Sequence, residues 1–113
     1  MEKIGRQVFL YDFYGELLTE HQKSVYEDVG LSDMSLSEIA DERGISRQGV
    51  HDLIRRCNKI LQEYENKLHL IERFVKIREE VGSIQKLAEN PQISKEELIG
   101  KVNEISHRII EEL

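Results

Sequence analysis

The sequence predicts an all-α protein, and three observations carry that prediction. Apolar residues recur at spacings of three and four almost everywhere, and no stretch alternates as a strand would. Helix-starting signals of the form Ser/Thr-x-x-Glu/Gln stand at Thr19-Glu20-His21-Gln22, Ser35-Leu36-Ser37-Glu38 and Ser94-Lys95-Glu96-Glu97. A single proline, Pro91, interrupts the chain far from its start. Charged residues make up 34% and hydrophobic ones 39% of 113 residues, the balance of a chain that folds around a core.

The first helix is predicted over Lys3 to Leu18. It carries Ile4, Val8, Tyr11 and Leu18 on one stripe, with Leu10, Phe13, Tyr14 and Leu17 beside it. So broad an apolar face predicts burial against several neighbours. Thr19 and Gln22 then form a reciprocal cap that opens a second helix ending near Gly30, followed by a linker Leu31-Ser32-Asp33-Met34. Ser35 caps a third, short helix with Ile39 and Ala40 facing inward, and Gly44 closes it, because the residue past a helix end needs a left-handed backbone that glycine adopts without steric cost. Ile45 is expected to plug the turn and Ser46 to cap the next helix. On that fourth helix Val50, Ile54, Cys57 and Leu61 follow spacings of four, three and four and define a buried side. Arg47, Gln48, His51, Asp52 and Arg55 are left on the other.

A glycine turn between two capped helices is the logic of a helix-turn-helix, in which the second helix presents its N-terminal residues to a major groove. Arg47 suits guanine O6 and N7, and Gln48 suits adenine N6 and N7. The same spacing also fits an ordinary corner of a helical bundle. Charge distribution favours the first reading modestly. Seven acids face three bases from Met1 to Met34, four face five from Ser35 to Leu61, and eleven face eight from Gln62 to Leu113. Only the middle segment escapes the chain's net charge of -6.

Beyond Leu61 the apolar pattern continues through Tyr64, Leu68, Ile71 and Val75, with a second stripe of Leu70, Phe74, Ile77, Val81 and Ile84. A helix reaching about Glu80 is expected, loosened at Gly82 and Ser83 and broken at Asn90-Pro91. A last helix carries Leu98, Val102, Ile105, Ile109 and Leu113. The expected organisation is residues 1–61 as a helix-turn-helix domain with its N-terminal helix and residues 62–113 as a helical extension. That extension either packs on the first part or mediates dimerisation through Phe74, Ile77 and Val81. A self-contained helical hairpin is the equal alternative.

Enzymatic chemistry is not expected. His21, His51, His69 and His107 stand isolated, no glycine loop suits a phosphate, and the carboxylates are scattered on polar faces. One cysteine, Cys57, excludes an internal disulfide and a cysteine-based zinc site, and its place on the buried side makes it a core residue. No cofactor or metal is implied. The aromatic run Phe9, Tyr11, Phe13 and Tyr14 has the spacing of a core, with base stacking as the lesser alternative. Nothing apolar is long enough to enter a membrane, the N-terminus is unlike a signal peptide, and a cytoplasmic location is expected.

The stretch LLTEHQKSVYEDVG with SLSEIADERGISRQGVHDLIRRCNKIL resembles region 4 of bacterial sigma-70-type factors, whose helix-turn-helix reads promoters. The combination YDFYGELLT, SLSEIA, SRQGVHDLIRR and YENKL resembles more closely the YlxM family, uncharacterised-protein family 0122, over about Val8 to Leu70. The stretch Tyr26 to Asp33 and the part after Leu70 depart from the family's usual form. The resemblance implies a sigma-70 region 4-like helix-turn-helix in a regulatory or accessory protein. It also implies an association with the signal recognition particle, through its GTPase or its RNA. Two functions follow: an accessory protein of that particle, or a sequence-specific DNA-binding regulator using the same helix. In either, Arg47, Gln48 and His51 would reach base edges or a partner, and Arg55, Arg56 and Lys59 would lie near phosphates.

Overall fold

A computed structural model describes residues 3–30 and 34–113 of the chain, which are divided between two compact units, residues 1–69 and 70–113. The first unit contains α1 (Lys3–Tyr14), a single 3-10 turn (Gly15–Leu17), α2 (Glu20–Gly30), α3 (Leu36–Arg43) and α4 (Arg47–Leu68). The second contains α5 (Leu70–Glu89) and α6 (Lys95–Glu112). Among the described residues there is no strand.

The expected helix over Lys3 to Leu18 ends early, at Tyr14. The ring of Tyr11 lies over Gly15 so closely that a Cβ there would stand 2.8 Å from it, and the backbone tightens into the 3-10 turn before Leu18 becomes extended. The expected apolar stripe is also narrower. Leu10, Tyr14 and Leu18 are buried, whereas Val8 and Leu17 are exposed. Helix α1 packs on α4, where Cys57, Leu61 and Glu65 are buried. Tyr14 stacks with Tyr64 at 6.1 Å and donates its hydroxyl to Glu65 Oε1 at 2.5 Å, which supplies the buried carboxylate with a hydrogen bond.

Helices α2, α3 and α4 enclose a second part of the core. Val25, Ile39, Ala40 and Val50 are buried there, with Val29, Met34, Leu36, Leu53 and Ile54 packed around them. The caps are local and largely as the sequence implies. Gln22 N–H donates to Thr19 Oγ1 at 3.2 Å while Thr19 N–H donates to Gln22 Oε1 at 3.0 Å. Ser35 Oγ accepts from Glu38 N–H at 3.1 Å, and Ser94 Oγ from Glu97 N–H at 3.1 Å. Of the expected linker Leu31-Met34, residues 31–33 lie outside the described residues.

Helix α4 runs through Leu61 without a break, so residues 62–69 fold with the first unit. It stops where His69 adopts a left-handed backbone, φ 56°, and its N–H caps Glu65 O at 2.8 Å. In the second unit, α5 continues nine residues beyond the expected end at Glu80. Ser83 donates back to Glu79 O at 3.2 Å within an unbroken helix, so Gly82 and Ser83 loosen nothing. Helices α5 and α6 form an antiparallel hairpin. Arg108 bridges Glu80 at 3.0 Å, and Lys76 lies 3.7 Å from Glu112. The hairpin leaves Phe74 39% and Val81 44% exposed, together with Ile99 and Ile110, while Ile77 is half-buried.

Candidate nucleic-acid interface

The turn between α3 and α4 is built from short-range bonds. Gly44 takes φ 68°, ψ 31°, its N–H caps Ala40 O, and Ile45 N–H reaches the same carbonyl at 3.1 Å. This is the paired-bond ending that a left-handed glycine makes possible. Ile45 is 38% exposed and does not plug the turn as expected. Hydrogen bonding around Gly44 and burial of Ile39 and Ala40 hold the corner instead. Ser46, extended at φ -75°, ψ 156°, then accepts from Gly49 N–H at 2.9 Å and starts α4.

Val50 is fully buried against the α2–α3 core, and Cys57 and Leu61 continue that side, so the opposite face of α4 is turned outward. All six residues singled out from the sequence, Arg47, Gln48, His51, Arg55, Arg56 and Lys59, are exposed. Gln48, Arg55 and Lys59 fall in one row with Asp52, at spacings of four, three and four. Arg47 stands in the first turn, and His51 and Arg56 flank the row. From Arg47 to Lys59 four cations accompany one acid, which makes this helix face positive on an otherwise acidic chain.

One further contribution was invisible in the periodicity, and another was legible only in side-chain spacing. Arg6, on α1, donates to Gln62 Oε1 from Nε at 3.0 Å and from Nη2 at 2.8 Å, which brings a further cation alongside α4. Asp52 is the other: it accepts from Gln48 Nε2 at 3.0 Å, and Arg55 Nη2 lies 3.6 Å away. These bonds span four and three residues, so the spacing of Gln48, Asp52 and Arg55 was the available signal. Arg43, by contrast, is turned towards α2. It bonds Asp28 at 2.6 Å and Ser24 at 2.7 Å and ties α3 to α2.

The remaining chemistry is structural. Cys57 is buried, and burial pushes its thiol above the ordinary value, so it stays protonated and unreactive near neutrality. Tyr11 stacks on Tyr26 at 5.1 Å and donates to Glu27, while Tyr26 donates to Asn58 Oδ1 at 2.7 Å. Both hydroxyls are held above the usual tyrosine range, first by burial and, for Tyr11, next by the Glu27 bond. They border a cavity of about 210 Å³ with Val8, Val29 and Ile54. No group of three or more histidine, cysteine and acidic side chains suited to a metal occurs among the described residues. None of the helices among the described residues is long and apolar enough to cross a membrane.

The chain matches a known family model, described as "Putative helix-turn-helix protein, YlxM / p13 like", over residues 1–105, which takes in α1 to α5 and the first part of α6. The chain is 44% identical over 92 residues to the UPF0122 protein ABC2295 of Shouchella clausii, covering 81% of this chain and 84% of the relative. A UPF0122 protein of Bacillus thuringiensis is 40% identical over 111 residues, 98% of this chain and 94% of the relative. One from Staphylococcus epidermidis is 44% identical over 94 residues, 83% and 86% of the respective chains. The chain belongs to this UPF0122 family of YlxM- and p13-like helix-turn-helix proteins.

Proposed function

We propose that this helix-turn-helix protein is a non-enzymatic regulator that binds duplex DNA through the outward face of α4. The observation that supports this is the pairing of a buried Val50–Cys57–Leu61 side with an opposite face on which Arg47, Gln48, His51, Arg55, Arg56 and Lys59 are all exposed. A helix anchored in this way by the helix before it can lay its N-terminal half in a major groove. Gln48 and Arg47 then meet base edges, and Arg55, Arg56 and Lys59 meet phosphates. With two or three cations per chain on phosphates, log affinity falls by roughly 2 to 3 per tenfold rise in salt. One copy therefore binds weakly.

A second copy docked on the side of the α5–α6 hairpin that carries exposed Phe74 and Val81 and half-buried Ile77 would double the contacts, and sedimentation of the full chain tests this. The sequence resemblance points further, to work alongside the signal recognition particle in the cytoplasm. In that role the same face of α4 meets the particle's RNA or GTPase.

The experiment is a salt-titrated binding series on genomic DNA fragments, particle RNA and the purified GTPase. For DNA reading, Gln48→Ala weakens binding to a preferred site by about 1–3 kcal/mol. Arg55→Ala weakens all sequences alike and flattens the salt slope by about one unit. If both variants lose only RNA or GTPase binding, the particle role replaces DNA reading. Unchanged binding to all three removes α4 as the functional surface.

A further inference from the structure

An acid stands in the middle of the outward row of α4, where a surface made only to hold phosphate would carry none. Asp52 is half exposed, at 49%, and one of its oxygens takes a hydrogen bond and an ion pair from its own row. Oδ1 accepts from Gln48 Nε2 at 3.0 Å, Arg55 Nη2 is 3.6 Å away, and His51 Nδ1 is 4.0 Å away. Arg55 Nη2 also lies 3.3 Å from His51 Nδ1. No hydrogen bond reaches Asp52 Oδ2 among the described residues. The carboxylate is thus steadied from both sides along the helix, with one acceptor oxygen left over.

We propose that Asp52 is a base-reading residue that accepts a hydrogen bond from the N4 amino group of a cytosine in duplex DNA. This inference rests on the DNA-binding reading of α4 given above. In the major groove only the amino groups of cytosine and adenine donate. The adenine amino group lies beside N7, an acceptor that repels a carboxylate, and guanine and thymine present acceptors at O6, N7 and O4. A carboxylate at this place therefore admits cytosine and penalises the other three bases. Arg55 and Gln48 offset part of its repulsion from the phosphates, and they fix its direction at no cost at the moment of binding. The deep, narrow major groove of an RNA helix is closed to side chains, so duplex DNA is the substrate this arrangement fits.

The test is enrichment of sites from a random duplex library by the full chain, by Asp52→Asn and by Asp52→Ala, with circular dichroism confirming equal helix content. Wild type is expected to enrich cytosine at one position. Asp52→Asn should shift that position towards adenine, since a carboxamide pairs with N6 and N7, and Asp52→Ala should leave it unspecified. Replacing that cytosine should weaken wild type roughly tenfold and leave Asp52→Ala unaffected. If both variants enrich the wild-type motif and merely bind every sequence more tightly, Asp52 is only a repelling charge and the inference is overturned. If wild type binds duplex DNA without enriching cytosine, this inference falls and DNA binding stands. If it binds no duplex DNA, both fall.

Discussion

Replacing Gly44 tests whether the corner that aims α4 depends on backbone conformation or on side-chain packing. Gly44 holds φ 68°, ψ 31°, and a Cβ placed there meets nothing within 4 Å. Steric contact with neighbours is therefore absent, and the whole penalty comes from the left-handed backbone. That conformation costs an L-residue about 1–2 kcal/mol. Alanine recovers roughly 0.4–1 kcal/mol by stiffening the unfolded chain, so Gly44→Ala should lose about 0.5–1 kcal/mol net. Gly44→Val adds a β-branched side chain, for which positive φ is an outlier, and should lose more than alanine, about 1–2 kcal/mol. Gly44→Asn should lose least, because asparagine tolerates this region. For a unit of residues 1–69, each kcal/mol lowers Tm by roughly 4–8 °C. Thermal melts followed by circular dichroism should thus rank the chains glycine, asparagine, alanine, valine from highest to lowest Tm. An unchanged valine Tm, or an asparagine chain below alanine, would refute the assignment of the corner to a strained backbone position.

Three other outcomes follow from the packing of α1. Tyr14→Phe removes a 2.5 Å bond to the buried Glu65 carboxylate and should cost about 2–3 kcal/mol, seen as a lower urea midpoint at unchanged slope; an unmoved midpoint would show the bond to be idle. Gly15→Ala forces the Tyr11 ring away from a Cβ 2.8 Å distant and should cost about 1–3 kcal/mol, with the Tyr11–Tyr26 stack visibly altered in near-ultraviolet circular dichroism. The raised hydroxyls of Tyr11 and Tyr26 and the raised Cys57 thiol release protons more readily in the unfolded chain than in the folded one. The stability these three groups contribute is then level near neutrality and falls as pH rises through the ordinary values of 9.0 for cysteine and 10.0 for tyrosine. Urea titrations between pH 7 and 11 check the sign, and a rise in stability over that range would contradict it.

The helices, their caps and the corner at Gly44 were legible in the sequence because each depends on partners within a few residues. Ser35, Ser46 and Ser94 accept from amides three positions on, and Gly44 answers a local backbone demand. The outward face of α4 was legible for a related reason: once Val50, Cys57 and Leu61 are buried, helical geometry leaves Gln48, Arg55 and Lys59 no other side. What the tertiary structure decided is which distant side chains meet. Periodicity ran α1 on to Leu18, but Tyr11 lying over Gly15 and stacked on Tyr26 accompanies its end at Tyr14. Glu65 sits at a position that composition alone assigns to the surface, and Tyr14, 51 residues away, makes its burial tolerable. Asp28 and Ser24 tie Arg43 to α2, while Gln62 draws Arg6 alongside α4. Hydrophobic spacing records which face of a helix avoids water, but it does not record which polar group on another helix will be there to receive it, since that choice depends on how the helices pack.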